Sequence, residues 1–234
     1  MSFDMHMTRM VAAIACIFAA GSASADTTPV MVSLVTPAQV PFRSYDVTGF
    51  RLSLIYGDCR DFTGFDLGVI QRTAGEFDGF AIGGFNFVCE GLYGGQVGLA
   101  NWCWDSDSSR AYRSAGAQIG LVNYAESFAG LQYGAVNVAN RAFYGLQDGY
   151  VNFTGGLLTG MQSGLLNCSA DVYGLQSGMY LVLGVNFTGG RVNGCQVGLL
   201  NFAASMEFGL QIGIVNIIAD NGWFPVLPIL NGRF

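Results

Sequence analysis

Lysine is absent from this 234-residue chain, and histidine occurs once, at His6. These absences remove the commonest general base and the amine nucleophile, so acid–base or covalent chemistry would fall to carboxylates, Cys or Tyr. Charge is scarce too. Charged residues make up 11% of the chain, roughly half the fraction of an ordinary soluble domain. The balance is acidic, with a formal net charge of −6. Such a surface has no electrostatic footprint for nucleic acid and repels anionic lipid headgroups. No C-x-x-C motif or Cys/His cluster occurs, which argues against zinc, and no cofactor or metal is expected. Proline is confined to Pro29, Pro37 and Pro41 near the start and Pro225 and Pro228 near the end.

The first 25 residues have the form of a signal peptide. Arg9 is followed by a short apolar run from Met10 to Gly21, and Ala23-Ser24-Ala25 supplies the small-x-small cleavage pattern. The run is too short for a retained membrane span. A lipoprotein reading at Cys16 is disfavoured, because Ala13 stands where a larger aliphatic residue is expected. Export permits disulfides among Cys59, Cys89, Cys103, Cys168 and Cys195, and the odd number leaves at least one unpaired. Most sit at apolar positions, where Cys acts as a small hydrophobe. A Cys89–Cys103 clip is the alternative.

What the chain does contain is a repeat. The phrase Gly-x-Gln-x-Gly-x-x-Asn is complete at Gly94-Gly-Gln96-Val-Gly98-Leu-Ala-Asn101, and again from Gly116, Gly130, Gly145, Gly160, Gly194 and Gly209. Looser copies start at Gly49, Gly64, Gly79 and Gly174. The usual spacing is about 15 residues, lengthened after Gly94 by the segment 102–115 and after Gly174 by the segment 178–186. Residues 26–44 carry no repeat and read as a leader or cap; 45–234 reads as one repeat domain, with 222–234 as a terminal cap.

A short period means one structural unit stacked many times. In the unit from Gly130, Gln132, Gly134, Val136 and Val138 share one parity, while Leu131, Tyr133, Ala135, Asn137 and Ala139 share the other. Period-two order and β-branched enrichment predict strands, and no 3.6-residue stripe survives the glycines. The expectation is an all-β fold of about 11–12 strand units. A β-solenoid is favoured, because stacked coils would bring the Asn residues into one amide ladder and the Gln residues into another. The alternative is an up-and-down antiparallel β-barrel, suggested by export, low charge and the terminal Phe234. Asp148, amid a row that would face lipid, argues against it.

Three stretches carry a resemblance: Tyr45-Asp-Val-Thr-Gly-Phe-Arg-Leu-Ser-Leu-Ile-Tyr-Gly57, the Gly-Leu-Gln-x-Gly-x-Val-Asn units, and Phe224-Pro-Val-Leu-Pro-Ile-Leu-Asn231. Together they resemble bacterial surface-repeat proteins built from GLQxGLVN units, from about Ser33 to Phe234. The resemblance implies a surface or envelope location and supplies no catalytic residues. The chain departs from the pattern where Arg51, Asp66 and Ala81 replace Gln, and where Tyr56 and Gln71 replace Asn. Those units are expected to be capping coils.

The remaining chemistry is sparse. Asp58 and Asp61 flank Cys59 and Arg60 in an expected solvated turn. The 102–115 loop is the candidate interaction segment. Its Trp102, Trp104 and Tyr112 could form an aromatic platform, and its Asp105 and Asp107 lack the spacing of a Ca²⁺ loop. Gly94-Gly-Gln-Val-Gly98 precedes no predicted helix and is not a nucleotide loop. The expectation is a non-enzymatic exported envelope or cell-surface protein with a structural, adhesive or scaffolding role, associating with the outer membrane, the cell surface or itself. The alternative is a small outer-membrane barrel.

Overall fold

Backbone conformation at the first glycine of each repeat excludes other residue types. In the computed structural model, which describes residues 27–104, 114–179, 183–220, 222 and 224–234, eleven glycines have φ between +123° and +147°. They are the eleven repeat starts, from Gly49 to Gly209. A Cβ at Gly145 would run into the carbonyl oxygen of Gly130, the equivalent residue of the preceding unit. Positive φ and direct stacking therefore make the same demand of this position.

The strands are β1 (Thr27–Val35), β2 (Ala38–Val40), β3 (Asp46–Cys59), β4 (Phe62–Thr73), β5 (Phe77–Val88), β6 (Leu92–Cys103), β7 (Ala115–Gly164), β8 (Leu166–Gly178), β9 (Val185–Val197), β10 (Leu200–Asp220) and β11 (Val226–Arg233). Their order in the sheet is β11-β10-β9-β8-β7-β6-β5-β4-β3-β1-β2. Neighbours from β1–β3 through β9–β10 pair parallel, with Gly49 on Gly64, Gly79 on Gly94 and Gly94 on Gly116. The long segment between Gly94 and Gly116 therefore leaves the stacking register intact. The protein is all-β, a β-solenoid of about 12 turns with coils of about 15 residues. Parallel stacking rules out the antiparallel up-and-down barrel weighed as the alternative.

Inside a coil, alternation holds until it reaches a bend. In β4, Phe62, Asp66, Gln71 and Thr73 are buried, whereas Thr63, Phe65, Leu67 and Val69 lie outside. Val69 and Ile70 point outward in succession, and the next residue, Gln71, turns in. The same double step occurs at Leu121-Val122 before Asn123. Strict period-two order placed Gln and Asn on opposite faces, and here the structure corrects it. The bend shifts parity by one, so both amides point into the coil.

Four interior rows result. An apolar row includes Phe62, Phe77, Leu92, Phe143, Leu158 and Met206, with Phe62 and Phe77 stacked at 4.9 Å between ring centroids. A row of small or apolar residues includes Val88, Cys103, Ala139 and Ile218. Each fully buried Phe or Leu contributes about 1.5–3 kcal/mol. Between these rows run Gln and Asn. The second glycine of the repeat makes room for the Asn: a Cβ at Gly98 would sit 2.8 Å from Asn86 Nδ2.

Both ends are closed by antiparallel strands. β2 pairs with β1, and β11 pairs with β10, placing Asn231 opposite Gln211. β2 is three residues long and lies between Pro37 and Pro41, and β11 contains Pro228. A very short edge strand flanked by prolines and an edge strand interrupted by one both resist further pairing.

Candidate functional site

The amides of the repeat bond chiefly to one another and to backbone. From Asn86 to Asn216, each Asn Nδ2 donates to the Oδ1 of the Asn one coil later, at 2.7–2.9 Å. The same nitrogen also donates to a backbone carbonyl of that next coil, as Asn137 does to Asp148 O at 2.9 Å. The Gln ladder runs the other way. From Gln118 to Gln211, each Nε2 donates to the Oε1 of the Gln one coil earlier, at 2.7–3.0 Å. Thr154, Ser169 and Thr188 hydroxyls donate to Gln Oε1 atoms from the side. The two rows of amide dipoles therefore oppose each other.

The ladders stop at identifiable places. Gln96 Nε2 has no partner, because Ala81 occupies the position before it. Asn86 Oδ1 and Gln211 Oε1 are the other open ladder ends. Gln71 Oε1 lies in the coil next to Asn86 and is also unpartnered.

Beyond Ala81 the Gln position holds a buried ion pair. Arg51 Nε donates to Asp66 Oδ1 at 2.9 Å, and Arg51 Nη2 donates to Asp66 Oδ2. The remaining guanidinium hydrogens go to Cys59 Sγ (2.8 Å), Arg72 O (2.8 Å) and Thr73 Oγ1 (3.2 Å), and the group lies 5.1 Å from the Phe62 ring centroid. Both side chains are essentially inaccessible. Burial alone would lower the Arg51 pKa, but the Asp66 carboxylate outweighs it and keeps the guanidinium charged. Burial pushes Asp66 upward, although Arg51 pulls against it. Burial also pushes the Cys59 thiol up to about 11, which suppresses thiolate reactivity. In the sequence Arg51 and Asp66 stand out only as missing glutamines. The available signal was opposite charge at one repeat position in successive coils.

At the first of these coils the register also differs from expectation. Tyr56 pairs with Ile70, and Gly57 pairs with Gln71, because β3 shifts register between Ser53 and Tyr56. Gly57, not Tyr56, holds the Asn position.

Of the candidate loop residues, Trp102 and Trp104 are described, whereas Asp105, Asp107 and Tyr112 lie outside the described residues. The Trp102 ring stacks on Tyr124 at 4.0 Å between centroids, and Trp104 lies 6.3 Å from Tyr124. The stacked pair covers one face of each ring, while Trp104 is 49% exposed. Tyr124 Oη donates to Glu126 Oε1 at 2.8 Å, and Glu126 Oε2 accepts from Asn140 Nδ2 and Arg141 Nε. Burial and the Glu126 bond push the Tyr124 hydroxyl up to about 12.

Asp58 accepts from Arg72, and Asp61 accepts the Glu76 backbone N–H, so these two carboxylates work separately. The signal-peptide segment 1–25 lies outside the described residues. Cys59, Cys89, Cys103, Cys168 and Cys195 are all free thiols, so the Cys89–Cys103 clip is not formed. A surface cleft of about 420 Å³ lies beside Asp171, Tyr173, Arg191 and Glu207. Its arginine is engaged by Glu207 at 2.9 Å and faces Asp171 at 4.0 Å. Among the described residues no cluster of His, Cys, Asp and Glu could hold a metal ion. Compared with protein-family models, curated proteins and solved structures, the chain matches none.

Proposed function

We propose that this protein is an exported, non-enzymatic component of the bacterial envelope, a solenoid rod with a structural, adhesive or scaffolding role. The observation that supports this most is the fate of the repeated polar residues. Gln and Asn point inward and bond to one another and to backbone, so they hold the rod together and offer nothing to a substrate. The charge-poor exterior suits an assembled surface better than free diffusion in the cytoplasm. The signal-peptide pattern and the resemblance to surface-repeat proteins point to the same compartment. Any specific recognition then falls to the interruptions of the rhythm, chiefly the segment that follows Trp102.

The test is location. Protease treatment and antibody labelling of intact cells, followed by envelope fractionation, are expected to find the protein accessible from outside and retained with the envelope. Recovery in the cytoplasmic fraction with residues 1–25 still attached would overturn the reading.

A further inference from the structure

The two bends of each coil are chemically opposite. One bend carries mainly charged and small residues, with Asp61, Glu76, Glu126, Arg141, Asp171 and Arg191 all lying there and Leu157 as the exposed apolar exception. The other bend, where two residues point outward in succession, reads Val69-Ile70, Leu99-Ala100, Leu121-Val122, Leu165-Leu166, Leu199-Leu200 and Ile214-Val215. Among the described residues from Val69 to Val215, the only hydrogen-bonding side chain on this ridge is that of Tyr150. The ridge is open to solvent, with Leu99 54%, Leu121 59% and Ile214 64% exposed. Turns in water are normally polar, and this chain supplies such turns at its other bend. The apolar ridge is therefore a property of one edge and not of the repeat as a whole.

We propose that this ridge inserts among the acyl chains of a lipid surface, with the rod lying along the membrane. Area argues against a second copy. About ten coils at ~4.8 Å and two residues of ~3.3 Å give the crest of the ridge roughly 320 Å², whereas a stable interface takes about 800 Å² per partner. The apolar surface also wraps around the bend onto both flanks, through Leu146 on one side and Phe153 and Phe187 on the other. A rigid copy covers one side of such a convex edge; fluid acyl chains cover all of it. Charge placement agrees, because the ion-paired bend faces water when the ridge is inserted. Asp148, partly buried on one flank, falls near the headgroups. Insertion of this kind is driven by apolar area and reaches about 5–10 Å into the bilayer.

This inference rests on the envelope reading only for its choice of occupant, and it is tested without cells. The purified full chain is floated with phosphatidylcholine vesicles, and again with vesicles containing phosphatidylglycerol. Binding is expected to phosphatidylcholine alone, and it is expected to survive high salt. Leu99→Ser with Leu121→Ser should weaken partitioning by about tenfold or more, with the fold verified by circular dichroism. Glu76→Ser with Arg191→Ser on the charged bend should leave partitioning unchanged. Absence of flotation, or equal flotation by the ridge variant, would overturn the proposal. So would a dimer in sedimentation that the ridge variant abolishes, because the occupant would then be a second copy. Each of these failures leaves an outside location on intact cells standing, and a cytoplasmic location leaves flotation standing.

Discussion

Asn137 Nδ2 donates to Asn152 Oδ1 at 2.9 Å across one coil, and the nitrogen of Asn152 repeats the bond to Asn167 at 2.9 Å. A residue within this row is both acceptor and donor. Asn137→Ala therefore strands one N–H of Asn123 Nδ2, whose other hydrogen stays on Tyr133 O, together with Asn152 Oδ1, and removes a donor from the Asp148 carbonyl. At 1–3 kcal/mol for each orphaned group, offset by partial relaxation, the expected loss is about 2–4 kcal/mol. Asn86→Ala opens only one side of the row and should lose about half as much. Midpoints in guanidinium chloride compare the two variants.

The repeat-start glycines set a stricter limit. Gly145→Ala combines φ of +133° with a collision against the Gly130 carbonyl, and it should destabilise by more than about 4 kcal/mol or prevent folding. Gly189 is the contrast. A Cβ there meets only Phe187, at 3.8 Å, so Gly189→Ala should stay within about 0.5 kcal/mol of the parent. Thermal unfolding of both variants separates the roles of two glycines that look alike in composition.

Removing one half of the Arg51–Asp66 pair leaves the other charge buried. Asp66→Gln should cost about 3–5 kcal/mol. Converting Arg51, Asp66 and Ala81 together to Gln extends the amide ladder and gives Gln96 Nε2 a partner. That triple variant is expected to return to within about 2 kcal/mol of the parent. If the triple variant proves less stable than Asp66→Gln alone, the ladder account of this position is wrong.

Thiol reactivity should follow burial. Cys59 and Cys103 are buried, and the Cys59 thiol is held near 11, so neither should react with a disulfide reagent in the native protein at neutral pH. Cys89, Cys168 and Cys195 are partly exposed and should react first. Unfolding should release the two slow thiols together.

Acid should loosen the Glu126 cluster. Burial tends to raise this carboxyl, but bonds from Asn140, Tyr124 and Arg141 outweigh it and hold the group below its ordinary value. A carboxylate depressed by folding stabilises the native state above its unfolded pKa, and that contribution disappears as pH falls through the folded value. Asp46, held down chiefly by its hydrogen bonds from Arg60, acts in the same sense. Stability should therefore decline below about pH 4.3, and less steeply in Glu126→Gln than in the parent.

Much of this fold was legible because repetition turns chemistry into position. Gly, Gln and Asn recurring at fixed offsets implied stacking and amide ladders, and both are present. The bend at Ala135-Val136 was not legible. Period-two order was carried straight through it, and that sent Gln132 and Asn137 to opposite faces. The displacement of Tyr56 by Gly57 hid in the same way, because one extra residue near Leu54-Ile55 leaves no mark in composition. The opposite sense of the two ladders depends on which backbone carbonyl each amide reaches, and no residue identity records that. Trp102 was legible as an aromatic; its stacking on Tyr124 depended on the partner one coil away.

The antiparallel strands β2 and β11 give the repeat a further consequence. Each coil meets only its neighbours, so copies could be gained or lost between these two stoppers without redesigning any contact. The length of the solenoid thus changes in steps of about 4.8 Å. Its reach is set by counting coils, and the end strands keep that count finite by denying a fibril its growing edge.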